Sequence, residues 1–303
     1  MNVKRILCPV DFSDTSAHAI EHAVVLAGWY KARITALHVV SPIMMAVPGM
    51  GSPRLEGSPV ATELERLRTE TAASFREAMK AGIAVDVLVD EGQPTGRILE
   101  RAASLSADLI VMGTHGTSGF EHLVLGSVTE KVLRKAECPV FTVPPRAHAT
   151  SRLPFKHVLC AVDFSDSSLA ALQYATSLAQ ESDAVLTILH VLEWPWEEPP
   201  SPLLTEMPME QGFALAEYRR YIEAGATARL ESLVPSGAGP RTISTRLRSG
   251  KPYVELLKVA AEEQSDLIVI GVRGRGPLDM TVFGSTANQV VRRATCPVLT
   301  LRR

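Results

Sequence analysis

The chain is written twice, and that duplication restricts its fold more than any other feature. ILCPVDFSD at 6–14 returns as VLCAVDFSD at 158–166, and LHVV at 37–40 returns as LHVL at 189–192, both displaced by 152 residues. Further on, DLIVMG at 108–113 matches DLIVIG at 266–271 and CPVFTV at 138–143 matches CPVLTL at 296–301, both displaced by 158. Two constant offsets describe one repeated unit whose second copy carries six additional residues. That insertion falls between LHVL and Gly250, because Gly92 and Gly250 already stand at the larger offset. The 303 residues therefore divide into domains 1–147 and 153–303, each of ordinary domain size. They join within VPPRAHATSRLPF at 143–155, a link short enough to keep the halves docked.

Inside each half, apolar runs alternate with helical patterns. Strands are expected at 4–10, 33–40, 84–90, 108–112 and 138–143, and again at 157–162, 184–192, 241–248, 266–270 and 296–301. Helices are expected at 14–30, 62–81, 95–105 and 127–136, with counterparts at 167–181, 210–233, 253–264 and 285–294. DLIVM and DLIVI are apolar at consecutive positions, as strands covered on both faces require. Ser13 and Ser165 stand where they cap the first helix of each half, and Pro94 and Pro252 stand in first turns. The alternation predicts a doubly wound α/β sheet in each half. Two Pro-rich segments, 41–61 and 193–208, interrupt the pattern at equivalent places and are expected as mobile linkers or lids. Trp194 and Trp196 in the second are assigned either to surface packing or to a partner.

Composition excludes several classes of protein. With 31 basic against 33 acidic residues the net charge is −2, so broad electrostatic binding to nucleic acid or an anionic membrane is not implied. No apolar run approaches the roughly 20 residues of a membrane span. MNVKRILCPVDFS lacks the apolar stretch of a signal peptide, which makes the cytoplasm the expected compartment. Cys8 and Cys160 lie in apolar runs, while Cys138 and Cys296 precede Pro-Val. None has metal-ligand spacing, so they are expected as small buried hydrophobes, and no metal site is expected.

The segment most suggestive of chemistry is GTHGTSGFEHLVLGS at 113–127, which follows a buried strand and ends where a helix begins. GVRGRGPLDMTVFGS at 271–285 repeats its G-x2-G-x9-G-S spacing with different residues between the glycines. Retained spacing with altered filling points to a backbone requirement. One reading is a phosphate cradle: Gly113 and Gly116 admit close approach with positive φ available, and Gly126 and Ser127 open a helix whose N–H groups and dipole favour an anion. The other is a pair of turns with Ser127 as a cap. Neither GxxxxGK[ST] nor G-x-G-x-x-G after a first strand occurs, which excludes an ordinary P-loop or nicotinamide site.

CPVDFSD, LHVV, GTHG-x9-GSVTE and CPVFTV together resemble the universal stress protein family in its tandem form, over essentially the whole chain, and the glycine motif resembles that of its ATP-binding branch. The resemblance implies a five-stranded parallel sheet flanked by helices in each half, akin to the adenine nucleotide alpha hydrolase-like folds. It also implies ATP as the ligand, with or without Mg2+, and pairing of the two halves through their last strands, leaving a further homodimer open. Carried over by position, Pro9 and Asp11 would meet the ribose and the backbone of Val39 the adenine. Met112 and Gly113 would flank the nucleotide, with Gly116, Gly126, Ser127, Val128 and Thr129 around the phosphates. The second half supplies Ala161, Asp163, Val191, Ile270, Gly271, Gly274, Gly284, Ser285 and Thr286. It departs from the first in Ala161 for proline and Thr286-Ala287 for Val128-Thr129, and it adds Arg273 and Arg275.

Other readings of these residues stand beside the ligand-binding one. Asp11 and Asp163 also suit turn caps at strand ends. His38 and His190, inside apolar strands, suit satisfied core histidines. His115 lies between motif glycines, but Arg273 replaces it in the second copy. No catalytic residues are assigned, since no paired carboxylates or Ser-His-Asp set assemble from the sequence. The expectation is a regulatory protein whose conformation or partner surface responds to ATP; a slow ATP hydrolase or nucleotidyl transferase on the same fold is the alternative.

Overall fold

The computed structural model describes residues 3–41, 59–116, 125–145, 154–193, 209–235, 242–272 and 283–302. Most of both Pro-rich segments with Trp194 and Trp196, the link at 146–153, and Arg273, Gly274 and Arg275 lie outside the described residues.

The first half runs β1 (Arg5–Val10), α1 (Asp14–Tyr30), β2 (Arg33–Val40), α2 (Pro59–Ser74), α3 (Arg76–Lys80), β3 (Val85–Glu91), α4 (Pro94–Ser104), β4 (Leu109–Gly113), α5 (Ser127–Lys135) and β5 (Val140–Val143). The second runs β6 (His157–Ala161), α6 (Asp166–Ser182), β7 (Val185–Leu192), α7 (Met209–Glu231), β8 (Thr242–Ser249), α8 (Pro252–Glu262), β9 (Leu267–Gly271), α9 (Ser285–Arg293) and β10 (Val298–Leu301). The helix expected over 62–81 is divided: it stops at Ser74, Phe75 takes φ −111° and ψ 11°, and a short α3 follows. Phe75 is fully buried, so tertiary packing prevails over helix continuity there. The last strand of each half starts after Pro139 or Pro297, since proline has no N–H to donate to the ladder.

All ten strands form one sheet in the order β3-β2-β1-β4-β5-β10-β9-β6-β7-β8. Within each half every neighbour is parallel, and β1 lies between β2 and β4. At the centre β5 and β10 are antiparallel, pairing Phe141 with Leu299 and Thr142 with Val298. Two buried hydroxyls reinforce this seam reciprocally, Thr142 Oγ1 donating to Val298 O and Thr300 Oγ1 to Val140 O, each at 3.1 Å.

Alternating strand residues supply two cores, one per face, and each core runs through both halves. Ile6, Cys8 and Val10 face the layer containing α1 and α6, whereas Leu7 faces the layer containing α5 and α9. Ser13 and Ser165 cap α1 and α6 by accepting from the backbone N–H of Ser16 and Ser168. None of the four cysteines forms a disulfide. Burial pushes the Cys8 and Cys296 thiols up to about 12 and Cys138 to about 11, with Cys160 raised further. They are inert packing groups at neutral pH.

Two contacts tie α1 to the seam and to the other half. Tyr30 Oη donates to Glu181 Oε2 of α6 at 2.7 Å, and the His22 ring stands 6.0 Å from that of Phe141. His22 is buried and its Nδ1 donates to His18 O at 2.8 Å. Burial lowers its pKa below 6.5, outweighing the opposing effects of the His18 carbonyl and Glu21, and His18 adds a further lowering. The folded chain therefore binds this proton less readily than the unfolded chain. Stability is fully present above the unfolded value and is lost as pH falls through it toward the folded value. The urea midpoint is expected to drop between about pH 7 and pH 5, and His22→Gln should flatten part of that drop. An unchanged slope in the variant would contradict the assignment.

Candidate functional site

In the strand order of each half, β1 and β4 are adjacent while the chain leaves them in different directions. Crevices at the carboxyl ends of such strands are where open α/β sheets take ligands. The residue after β1 is Asp11, and β4 ends at Gly113. Val10 pairs with His38, so one position further on these strands come Asp11 and Val39. The predicted residues therefore gather at one end of the sheet.

The turn from β1 into α1 is built tightly. Asp11 Oδ1 accepts from both Ser13 N (3.1 Å) and Ser13 Oγ (2.6 Å), and Asp11 N donates to Ser16 Oγ at 3.3 Å. Phe12 between them takes φ 62°, a left-handed conformation that costs a bulky L-residue about 1–2 kcal/mol. The second half repeats it: Asp163 Oδ1 accepts from Ser165 N at 3.0 Å and Ser165 Oγ at 2.5 Å, and Phe164 takes φ 63°. Capping and proximity to the crevice thus coexist in the same aspartates.

The motif glycines are explained by close packing. None of Gly113, Gly116, Gly126, Gly271 or Gly284 has a positive φ, which corrects the expectation that Gly113 and Gly116 exploit that freedom. What they provide is room. A Cβ on Gly113 would stand 3.0 Å from Thr15 O and 3.1 Å from Thr15 Cβ, in the first turn of α1. One on Gly116 would stand 2.6 Å from Asp11 Oδ2, and one on Gly126 3.2 Å from Thr114 O. In the second half Gly271 meets Ser167, its backbone C at 2.8 Å, and Gly284 meets Val272 O at 3.0 Å. Gly274 lies outside the described residues.

The ends of each motif are joined directly. Gly126 N donates to Thr114 O at 2.8 Å, and Gly284 N to Val272 O at 2.9 Å. Gly126 and Gly284 then begin α5 and α9 with no side-chain cap, leaving the N–H groups of the first turn directed past the glycines. Ser127 and Ser285 are exposed there, with Val128 and Thr286 half-buried. Thr129 is buried and donates from Oγ1 to Gly113 O at 2.9 Å, binding the helix to the strand end. Ala287, its counterpart, has no hydroxyl.

Pro9, Val39, Ala161 and Val191 are half-buried at the same strand ends, and Val39, Ala161, Val128 and Val191 pack against the α5/α9-side core. They offer an apolar wall. Met112 and Ile270 belong to that core, each 5% exposed, so only their backbone faces the crevice. Thr15, Thr114, Ser167 and Val272 complete the site and escaped the sequence reading; for Thr15 and Ser167 the only signal is that they stand at the 152-residue offset. His115 Nδ1 lies 2.8 Å from Thr114 Oγ1. The second half also carries a cation near its turn, the Arg229 guanidinium 4.2 Å from the centre of the Phe164 ring.

Comparison with known proteins agrees with this architecture. The model of the universal stress protein family matches residues 2–144 and again 154–302. A universal stress protein of Mycolicibacterium smegmatis is 29% identical over 98% of this chain and 96% of its own length. A universal stress protein of Methanocaldococcus jannaschii is 37% identical over 46% of this chain and 81% of its own length. The crystal structure of a universal stress protein from Archaeoglobus fulgidus covers both chains completely at 25% identity, with a TM-score of 0.66. This chain belongs to the universal stress protein family, in its tandem form.

The packing makes opposite predictions for two glycines. Gly113→Ala forces a methyl into the backbone of Thr15 and is expected to lower the unfolding free energy by about 1–3 kcal/mol. Gly28→Ala, in α1 with nothing within 4 Å of the added carbon, is expected to raise it by about 0.5–1 kcal/mol. Urea denaturation of both variants checks the pair; equal signs would contradict the packing account.

Proposed function

We propose that this protein binds ATP at the glycine crevice of each half, and that binding biases its conformation or a partner surface, as in a nucleotide-responsive stress regulator. The observation that carries this is the repeated pair of glycine walls: Gly126 N to Thr114 O and Gly284 N to Val272 O. Each pair lies under an uncapped helix N-terminus and beside the Asp11 or Asp163 turn. The N–H groups of an uncapped first turn and the helix dipole suit phosphate oxygens. Asp11 and Asp163 suit ribose hydroxyls, and the walls at Val39 and Val191 suit an adenine. ATP would supply no chemistry of its own here beyond charge and shape; Mg2+ would arrive with its phosphates, to which it binds readily.

Several finer points belong to the same proposal. The functional units are residues 1–147 and 153–303, held together in solution by the β5–β10 seam, with a further homodimer open. The cytoplasm is the proposed compartment, consistent with the absence, among the described residues, of any helix long and apolar enough to cross a membrane. Regulation is preferred to hydrolysis because this reading puts Asp11 and Asp163 at the ribose, away from the γ-phosphate where an attacking water would have to be activated.

Calorimetric titration of the whole chain with ATP tests this. Two sites are expected, one lost in Gly126→Val, the other in Gly284→Val, and both in the double variant. No ATP binding by the intact chain would overturn the proposal. Sustained ADP formation abolished by Asp11→Asn with Asp163→Asn would favour the hydrolase instead.

A further inference from the structure

Each half contains a histidine that neither fold nor nucleotide contact has so far required. His38 lies in β2, opposite Val10 in the register, and its Nδ1 stands 2.8 Å from Val10 O, the last carbonyl before Asp11. A carbonyl only accepts, so Nδ1 carries the proton and donates. The same imidazole lies against Phe12, ring centres 4.6 Å apart. In the second half His190 Nδ1 stands 2.7 Å from Val162 O and its ring 4.6 Å from that of Phe164. Both phenylalanines are the left-handed residues of the turn, at φ 62° and 63°.

An L-phenylalanine does not hold that conformation unaided; the surroundings must impose it. Among the described groups, the serine hydrogen bonds on the aspartate act from one side and the imidazole from the other, and in the second half the Arg229 guanidinium also stacks on Phe164. The imidazole acts twice, satisfying the carbonyl that leaves the ladder and supporting the ring that follows. Between those two attachments sits a single residue, Asp11 or Asp163. The geometry points to His38 and His190 as positioning residues of the two nucleotide sites: each locks the strand-to-helix turn so that the aspartate presents Oδ2 to the crevice. This rests on the ATP reading above, in which the aspartate meets the ribose. It explains why a polar side chain persists inside an apolar strand in both copies, displaced by the same 152 residues as Asp11 and Phe12.

The test compares ATP with 2′,3′-dideoxy-ATP by calorimetry in the full chain carrying Gly284→Val, which isolates the first site. His38→Phe keeps a ring against Phe12 and removes the donor; His38→Asn keeps a donor near the Nδ1 position. His38→Phe is expected to lower the preference for ATP over the dideoxy nucleotide about tenfold, as is Asp11→Asn, with the ATP-to-ADP ratio unchanged. His38→Asn should recover most of it. Because Ser13 N–H is tied to Asp11 Oδ1, its amide should also exchange faster in His38→Phe without any nucleotide. Equal loss for ATP and dideoxy-ATP, or an unchanged preference with unchanged Ser13 exchange, would overturn the positioning role. Absence of ATP binding in the parent, with faster Ser13 exchange in His38→Phe, would overturn the nucleotide reading while leaving the turn lock intact. A thermal melt of each variant confirms folding, and His190→Phe with Gly126→Val gives the second site as an independent case.

Discussion

The first turn of α1 rests on the last residue of β4, and only a glycine leaves it room. Thr15 would lie 3.0–3.1 Å from any β-carbon at Gly113, and Ser167 is closer still at Gly271. From this contact follow the shape of the crevice and the placement of Asp11. α1 lies over the sheet end and the turn before it is tight, with Phe12 held in a left-handed conformation within it. Next to it Gly116 borders the aspartate carboxylate and Gly126 borders the Thr114 carbonyl, so three glycines accommodate two backbone approaches and one side-chain carboxylate.

The seam between β5 and β10 sets how the two crevices relate. It is short, four residues on each strand, yet it converts two five-stranded sheets into one and lets each hydrophobic core continue across the middle. Unpaired, both strands would be apolar sheet edges open to association. Because the pairing is antiparallel, the halves are related by a pseudo-twofold rotation, and their crevices open from opposite ends of the strands. The halves are nevertheless unequal in detail. Thr129 ties α5 to Gly113 while Ala287 cannot tie α9 to Gly271, and Arg229 stacks on Phe164 where, among the described residues, no cation covers Phe12.

Much of this was legible before the structure. Constant offsets exposed the duplication, consecutive apolar residues such as DLIVM exposed buried parallel strands, and the glycine spacing marked where β4 and β9 lead into α5 and α9. What remained hidden depended on register and close approach. Nothing in GTHG says whether glycine is there for φ or for space; the neighbours that decide it, Thr15 and Asp11, are about a hundred residues away in the chain. His38 was legible as a satisfied core histidine, but not which carbonyl it satisfies, because that follows from Val10 lying opposite it. The break at Phe75 was invisible because helical periodicity continues through it while core packing interrupts the helix.

In the proposed function two backbone cradles, one per half, hold the phosphates of a nucleotide. Amide hydrogen exchange of the whole chain, with and without saturating ATP, tests it at the atoms concerned. Slowed exchange is expected at 126–129 and at 284–287, in the first turns of α5 and α9, together with Asp11 to Ser13 and Asp163 to Ser165. ATP-dependent protection confined to other segments, or none in either half, would contradict it.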